Sequence, residues 1–112
     1  MGKLADYIQK KFGVVTKMNV NPAGVTQIGT SLTTVLKNNP DRLMWMLINL
    51  GSYDAYIAWD RDVGTAHGVL LSARGGNLVL IADEDVELTG YEVYGIAPSG
   101  ATDIYVIEVE AV

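Results

Sequence analysis

The sequence predicts an all-β protein, a single antiparallel β-sandwich or jelly-roll-like barrel of about 7–8 strands, preceded by a short N-terminal helix and arm. Three observations carry this. Short apolar, β-branched segments recur at intervals near ten residues. Gly, Pro, Asn and Asp cluster between them as turn signals. No pattern of helical length separates the strands, which argues against a parallel sheet built from βαβ units. A chain of 112 residues fits one domain with one core.

The elements follow in order. Leu4, Ile8 and Phe12 recur every four residues, so residues 3–12 read as a helix with a narrow apolar stripe, stopped by Gly13. From Val14 the pattern changes to strands, with "NPAG" as a turn and a Thr-rich strand over Val25–Leu36, broken near Gly29. After the turn "KNNPDR", Leu43–Leu50 is expected to pair with Ala55–Asp60 as a hairpin across Gly51–Asp54. Further strands are expected at Gly68–Leu71, Leu78–Ala82, Val86–Leu88, Tyr91–Ala97 and Asp103–Val109. "SARGGN" reads as a hairpin connection with positive φ at Gly75 and Gly76. The expected division is a basic helix and arm over 1–20 and the sandwich over 21–112.

Two strands have unusual faces. In "DIYVIEVEAV", Tyr105, Ile107 and Val109 make a wholly apolar face, while Ile104, Val106, Glu108 and Glu110 make a mixed one. Leu43–Leu50 is apolar on both faces, whereas a two-layer sandwich needs only one. The second face must be covered by the helix or by another subunit.

Charge divides the chain. The net charge is −5, yet Lys3, Lys10, Lys11, Lys17 and Lys37 precede Asp41 against the single acid Asp6. From Asp41 onward, Arg42, Arg61 and Arg74 face twelve carboxylates. A basic arm on an acidic body points to different partners for the two. Nucleic-acid binding is not expected, because the aromatics lie among acids rather than cations. No segment reaches the run of about 18 apolar residues that spans a bilayer. The first residues lack the apolar core of a secretory leader, so the expectation is synthesis in a cytosol.

Catalytic and metal chemistry find little support. Cysteine is absent and His67 is the single histidine, so neither a zinc site nor a thiol nucleophile is expected. "TAHG" has no nucleophile elbow beside it. Asp83, Glu84, Asp85 and Glu87, or Asp60 and Asp62, offer oxygen ligands, but neither run has EF-hand spacing. The pair Asp60 and Asp62 implies no glycosidase cleft. "SARGGN" is not a phosphate loop. No enzyme activity, cofactor or metal is expected.

The order of the body is familiar. Arg42 and Asn49 bracket an apolar strand, Tyr56-Ile57 follows, and then come an Asp-containing loop and the strand Gly68–Leu71. A Gly75-Gly76 turn, an aromatic-x-Ile-Ala-x-x-Gly segment from Tyr94 to Gly100, and a terminal strand ending in Glu complete the pattern. Over Arg42 to Glu108 this resembles small β-sandwich proteins of tailed bacteriophage virions, of the head-decoration, head-fibre and tail-associated types. The resemblance implies a non-enzymatic structural part, often trimeric, that binds a capsid or tail surface. The expected function is capsid decoration by a homotrimer in the virion, assembled in the host cytoplasm. In that reading Leu4, Ile8, Phe12, Lys10, Lys11 and Lys17 form a capsid- or subunit-binding arm. Met44, Trp45, Met46 and Trp59 supply core and subunit interface. The alternative is a carbohydrate-binding module on a phage tail or fibre, using Tyr53, Tyr56 and Tyr91 together with Trp59.

Overall fold

The computed structural model describes residues 2–21 and 27–112, and the expected "NPAG" turn lies outside them beyond Asn21. Among the described residues, helix α1 (Lys3–Phe12) leads into nine strands: β1 (Thr16–Val20), β2 (Gln27–Ile28), β3 (Thr33–Leu36), β4 (Arg42–Asn49), β5 (Ala55–Ala58), β6 (Val69–Leu71), β7 (Asn77–Ile81), β8 (Val93–Ile96) and β9 (Thr102–Ala111). A short helix α2 (Ala82–Asp85) and a 3-10 turn (Val86–Gly90) separate β7 from β8. One sheet has the order β1-β9-β4-β7, with β2 on the start of β9; the other has the order β3-β8-β5-β6. Every pairing is antiparallel. Two antiparallel sheets whose neighbours are mostly distant in sequence form a jelly roll, the fold class expected. β2 and β3 replace the single strand expected over 25–36: after Gly29 the chain leaves β9 and joins β8 in the opposite sheet.

The core lies between the sheets, where Trp45, Leu47, Ile57, Leu71, Val93 and Val106 are almost fully buried. Close approach fixes one glycine: a Cβ on Gly95 would sit 2.9 Å from both Ile28 Cδ1 and Val35 Cγ2.

Several expectations need correction. β4 and β5 do not form a hairpin: β4 pairs with β9 and β7, and β5 with β8 and β6. The ten-residue β9 matches the eight-residue β4 along nearly its whole length, whereas β5 has only four residues. Residues 50–54 therefore cross from one sheet to the other. The "SARGGN" connection likewise links opposite sheets, with positive φ at Arg74 (60°) and Gly75 (124°) and not at Gly76. Gly76 is required by space, because a Cβ there would lie 2.2 Å from Ser72 N. Val86–Leu88 is not a strand. The Asp85 carboxylate accepts the Ile81 N–H at 2.9 Å and turns the acidic run into helix, after which Val86 takes φ 46° and reverses the chain.

The N-terminal division also moves. Thr16–Val20 is a strand of the sheet, paired with β9 from Ala111 to Ile107, so of the expected arm the element that stands off the sheet is α1. Gly13, at φ 71° with its N–H on Gln9 O, ends the helix.

Candidate assembly surface

β9 buries its mixed face and turns its more apolar face outward, with the exposed Asp103 at the start of the strand on the same side. Thr102, Ile104, Val106 and Glu108 are buried, while Tyr105, Ile107 and Val109 lie on the outside of the sheet. The acid is tolerated inside because Arg42 meets it. Arg42 Nε donates to Glu108 Oε2 at 2.7 Å, and the guanidinium also donates to the carbonyls of Lys37 (2.7 Å), Thr89 (3.3 Å) and Tyr91 (3.5 Å). Both side chains are about 95% buried, which only a well-bonded pair survives. Asn19 Nδ2 donates to Glu108 Oε1 (2.9 Å) and Glu110 Oε1 (3.0 Å), and Lys17 reaches Glu110 at 3.3 Å. Hydrogen bonds from Asn39, Asn19 and Lys17 hold the Glu110 carboxyl below its ordinary value of 4.5.

The other end of β4 has its own buried polar centre. The Asn49 amide donates to the carbonyls of Tyr53 (2.8 Å) and Leu71 (3.0 Å), and its oxygen accepts from Gly51 N (3.0 Å) and Thr102 Oγ1 (2.7 Å). One side chain thereby ties β4, β6, β9 and the crossing loop together.

The outer face of this sheet is built in cross-strand rows. Met18, Val109, Met44 and Ile81 form one row across β1, β9, β4 and β7. Val20, Ile107, Met46 and Val79 form the next, followed by Tyr105, Ile48 and Asn77. No position in these rows carries a charge. Met18, Val20 and Val79 are 63%, 46% and 44% exposed, and the central Met44, Met46, Ile48 and Ile107 are half-buried. Four strands about 4.8 Å apart and three rows about 7 Å apart span on the order of 400 Å² with their side chains, the first row lying partly under α1. That is the size of the largest apolar patch on a typical monomer, which is often functional.

Helix α1 touches only one edge of this face. Ile8 and Phe12 line a groove of about 200 Å³ with Thr16, Leu43, Met44, Ile81 and Val109. No α1 residue is buried, and Leu4 and Tyr7 are 70% and 57% exposed. Lys11 Nζ lies 5.4 Å from the Phe12 ring centroid and 5.9 Å from that of Tyr7. The six residues expected in the arm thus separate: five lie on α1, while Lys17 lies within the sheet on Glu110.

The four residues expected at core and interface divide too. Trp45 is fully buried and packs on half-buried Trp59, with ring centroids 6.4 Å apart and Trp59 Nε1 donating to Leu88 O at 3.2 Å. Met44 and Met46 belong to the outer face. The proposed ligand aromatics do not converge. Tyr53 sits by Asn49 and Tyr91 by Arg42, at opposite ends of β4, roughly 23 Å apart at about 3.3 Å per residue. Tyr56 pairs with Leu70 and Ile96 in the other sheet.

The carboxylate runs are engaged locally. Asp85 binds Ile81 N–H, Glu87 accepts from the Tyr91 hydroxyl at 3.0 Å, and Asp60 Oδ1 accepts from Asp62 N–H at 3.1 Å. Among the described residues no three His, Asp or Glu side chains gather as metal ligands. His67 Nε2 contacts both oxygens of Asp60, at 3.0 and 2.8 Å, on an exposed loop. The hydrogen bond and the charge of Asp60 raise the His67 pKa above 6.5, and the hydrogen bond from His67 lowers that of Asp60 below 3.8. This clasp therefore contributes fully between those two values. It fades as pH rises through the raised His67 pKa, and again as acid protonates Asp60. Proton NMR of the single histidine should show a midpoint above 6.5 that falls back toward it in Asp60→Asn; an unchanged midpoint would mean the clasp is absent in solution.

Sequence reasoning noted Arg42 and Asn49 only as markers in a pattern. Their role was signalled by position: a charge and an amide bracketing a strand that is otherwise apolar must be solvated by the fold.

The fold and its outer face define a jelly-roll protein with a largely apolar outer sheet surface. No family model and no curated protein sequence matches the chain. Among solved structures it is similar to the pilus protein described in "Bacillus endospore appendages form a novel family of disulfide-linked pili", with TM-score 0.50 and 9% identity over 88% of this chain and 87% of that one. It is also similar to a cupin domain from Bordetella pertussis, with TM-score 0.39 and 10% identity over 87% and 93% of the two chains. A third likeness is to dTDP-4-dehydrorhamnose 3,5-epimerase from Bacillus anthracis, with TM-score 0.37 and 16% identity over 95% and 60%. At such identities the likeness is one of fold, and neither the cupin nor the epimerase establishes an activity for this chain.

Proposed function

We propose that this protein is a non-enzymatic structural subunit that works by assembly, a capsid decoration protein that clads a virion surface as a homotrimer. One observation carries the reading: the sandwich buries an acid at the cost of a four-acceptor arginine network while Tyr105, Ile107 and Val109 of β9 look outward. Such an arrangement is favourable where another protein surface covers that face. The sequence resemblance over Arg42 to Glu108 supports the virion setting. Many copies arrayed by symmetry let modest affinity per contact hold a shell. Light scattering on the purified chain should give three times its 12.1 kDa mass, and a monomer at every concentration would reject the proposal.

A further inference from the structure

We infer that α1 is an intersubunit clasp: Ile8 and Phe12 hold it to its own sheet, while Leu4 and Tyr7 dock on the outer sheet face of a second copy of this chain. The inference rests on the assembly reading and names the segment that makes the contact.

Burial gives the first argument. A ten-residue helix is marginal alone in water, yet this one buries no residue, leaving Leu4 and Tyr7 largely in solvent and even Phe12 45% exposed. Its own groove accepts Ile8 and Phe12 and stops there. The rows through Met46 and Ile48 lie beyond that groove, open and of matching chemistry.

Charge selects the occupant. Residues 2–13 carry three lysines against one aspartate, whereas the rest of the chain carries five cations against twelve carboxylates. Lys3, Lys10 and Lys11 make no ion pair among the described residues, and neither does Asp83, which lines the groove that holds Ile8 and Phe12. A cationic arm and an acidic body within one sequence attract each other between copies. Area points the same way. A specific interface buries about 800 Å² per partner, and a sheet patch on the order of 400 Å² falls short without the roughly 15 Å helix.

The absence of cysteine makes the test clean. Full-length Leu4→Cys and Met46→Cys chains carrying different tags are mixed and oxidised mildly, with Leu70→Cys on the outer side of the opposite sheet as control. The expected product is a mixed disulfide between the Leu4 and Met46 variants, well above the control. Lys10→Glu/Lys11→Glu should weaken association about tenfold, and adding Asp83→Lys/Glu84→Lys should restore it. Self-association with cross-linking no better than the control, and no response to charge reversal, would overturn the clasp and leave the assembly reading standing. A monomeric intact chain would overturn both.

Discussion

Replacing Arg42 by Met should lower stability by about 3–5 kcal/mol, because it leaves the Glu108 carboxylate buried and short of its cation. Natural domains hold only about 5–15 kcal/mol in total, so a fall in melting temperature on the order of 15 °C is expected by circular dichroism. The magnitude follows from the number of groups that lose a partner. Glu108 keeps only the Asn19 amide, and the carbonyls of Lys37, Thr89 and Tyr91 lose the guanidinium together. Adding Glu108→Leu to Arg42→Met should recover a substantial part of the loss, since the unpaired charge disappears while the three carbonyls still lack their donor. Recovery is the informative half. A double variant as unstable as the single one would mean that the carbonyl contacts, rather than the ion pair, hold the 3-10 turn against β4.

The same network explains what the sequence could and could not reveal. Strand composition and turn residues are local, so the all-β class, the stripe of α1 and the limits of most strands were legible. The partners of β4 were not. Its two apolar faces suit any neighbour, and the short loop after Asn49 favoured a hairpin, whereas the strand joins β9, far away in sequence. Periodicity in β9 separated an apolar face from a mixed one but could not say which turns inward. That choice is made by Arg42, Asn19 and Lys17, which arrive from other elements to meet Glu108 and Glu110. Val86–Leu88 misled for a related reason: its apolar, strand-like composition yields to the Asp85 cap on Ile81, a contact between residues four apart. Met44 and Met46, grouped with Trp45 by the sequence, look away from it, as alternation along a strand requires.

Ile107→Glu should release monomers of 12.1 kDa while leaving the fold intact. Ile107 stands at the centre of the outer face, between Val20 and Met46 in its row, and is only half-buried in the isolated subunit. A carboxylate there keeps contact with water in the monomer, so the cost to folding should stay within about 1 kcal/mol. In an assembly the same group would lose its water against apolar side chains, a penalty of roughly 3 kcal/mol. At about 1.4 kcal/mol per tenfold, that weakens association more than a hundredfold. Sedimentation should therefore show loss of the oligomer at micromolar protein, with an unchanged far-ultraviolet spectrum. Leu70→Glu, on the outer side of the opposite sheet, should leave the mass untouched. The contrast between the two variants separates an interface on the β1-β9-β4-β7 sheet from a general effect of added charge. An oligomer that survives Ile107→Glu and dissolves with Leu70→Glu would assign the subunit contact to the other sheet.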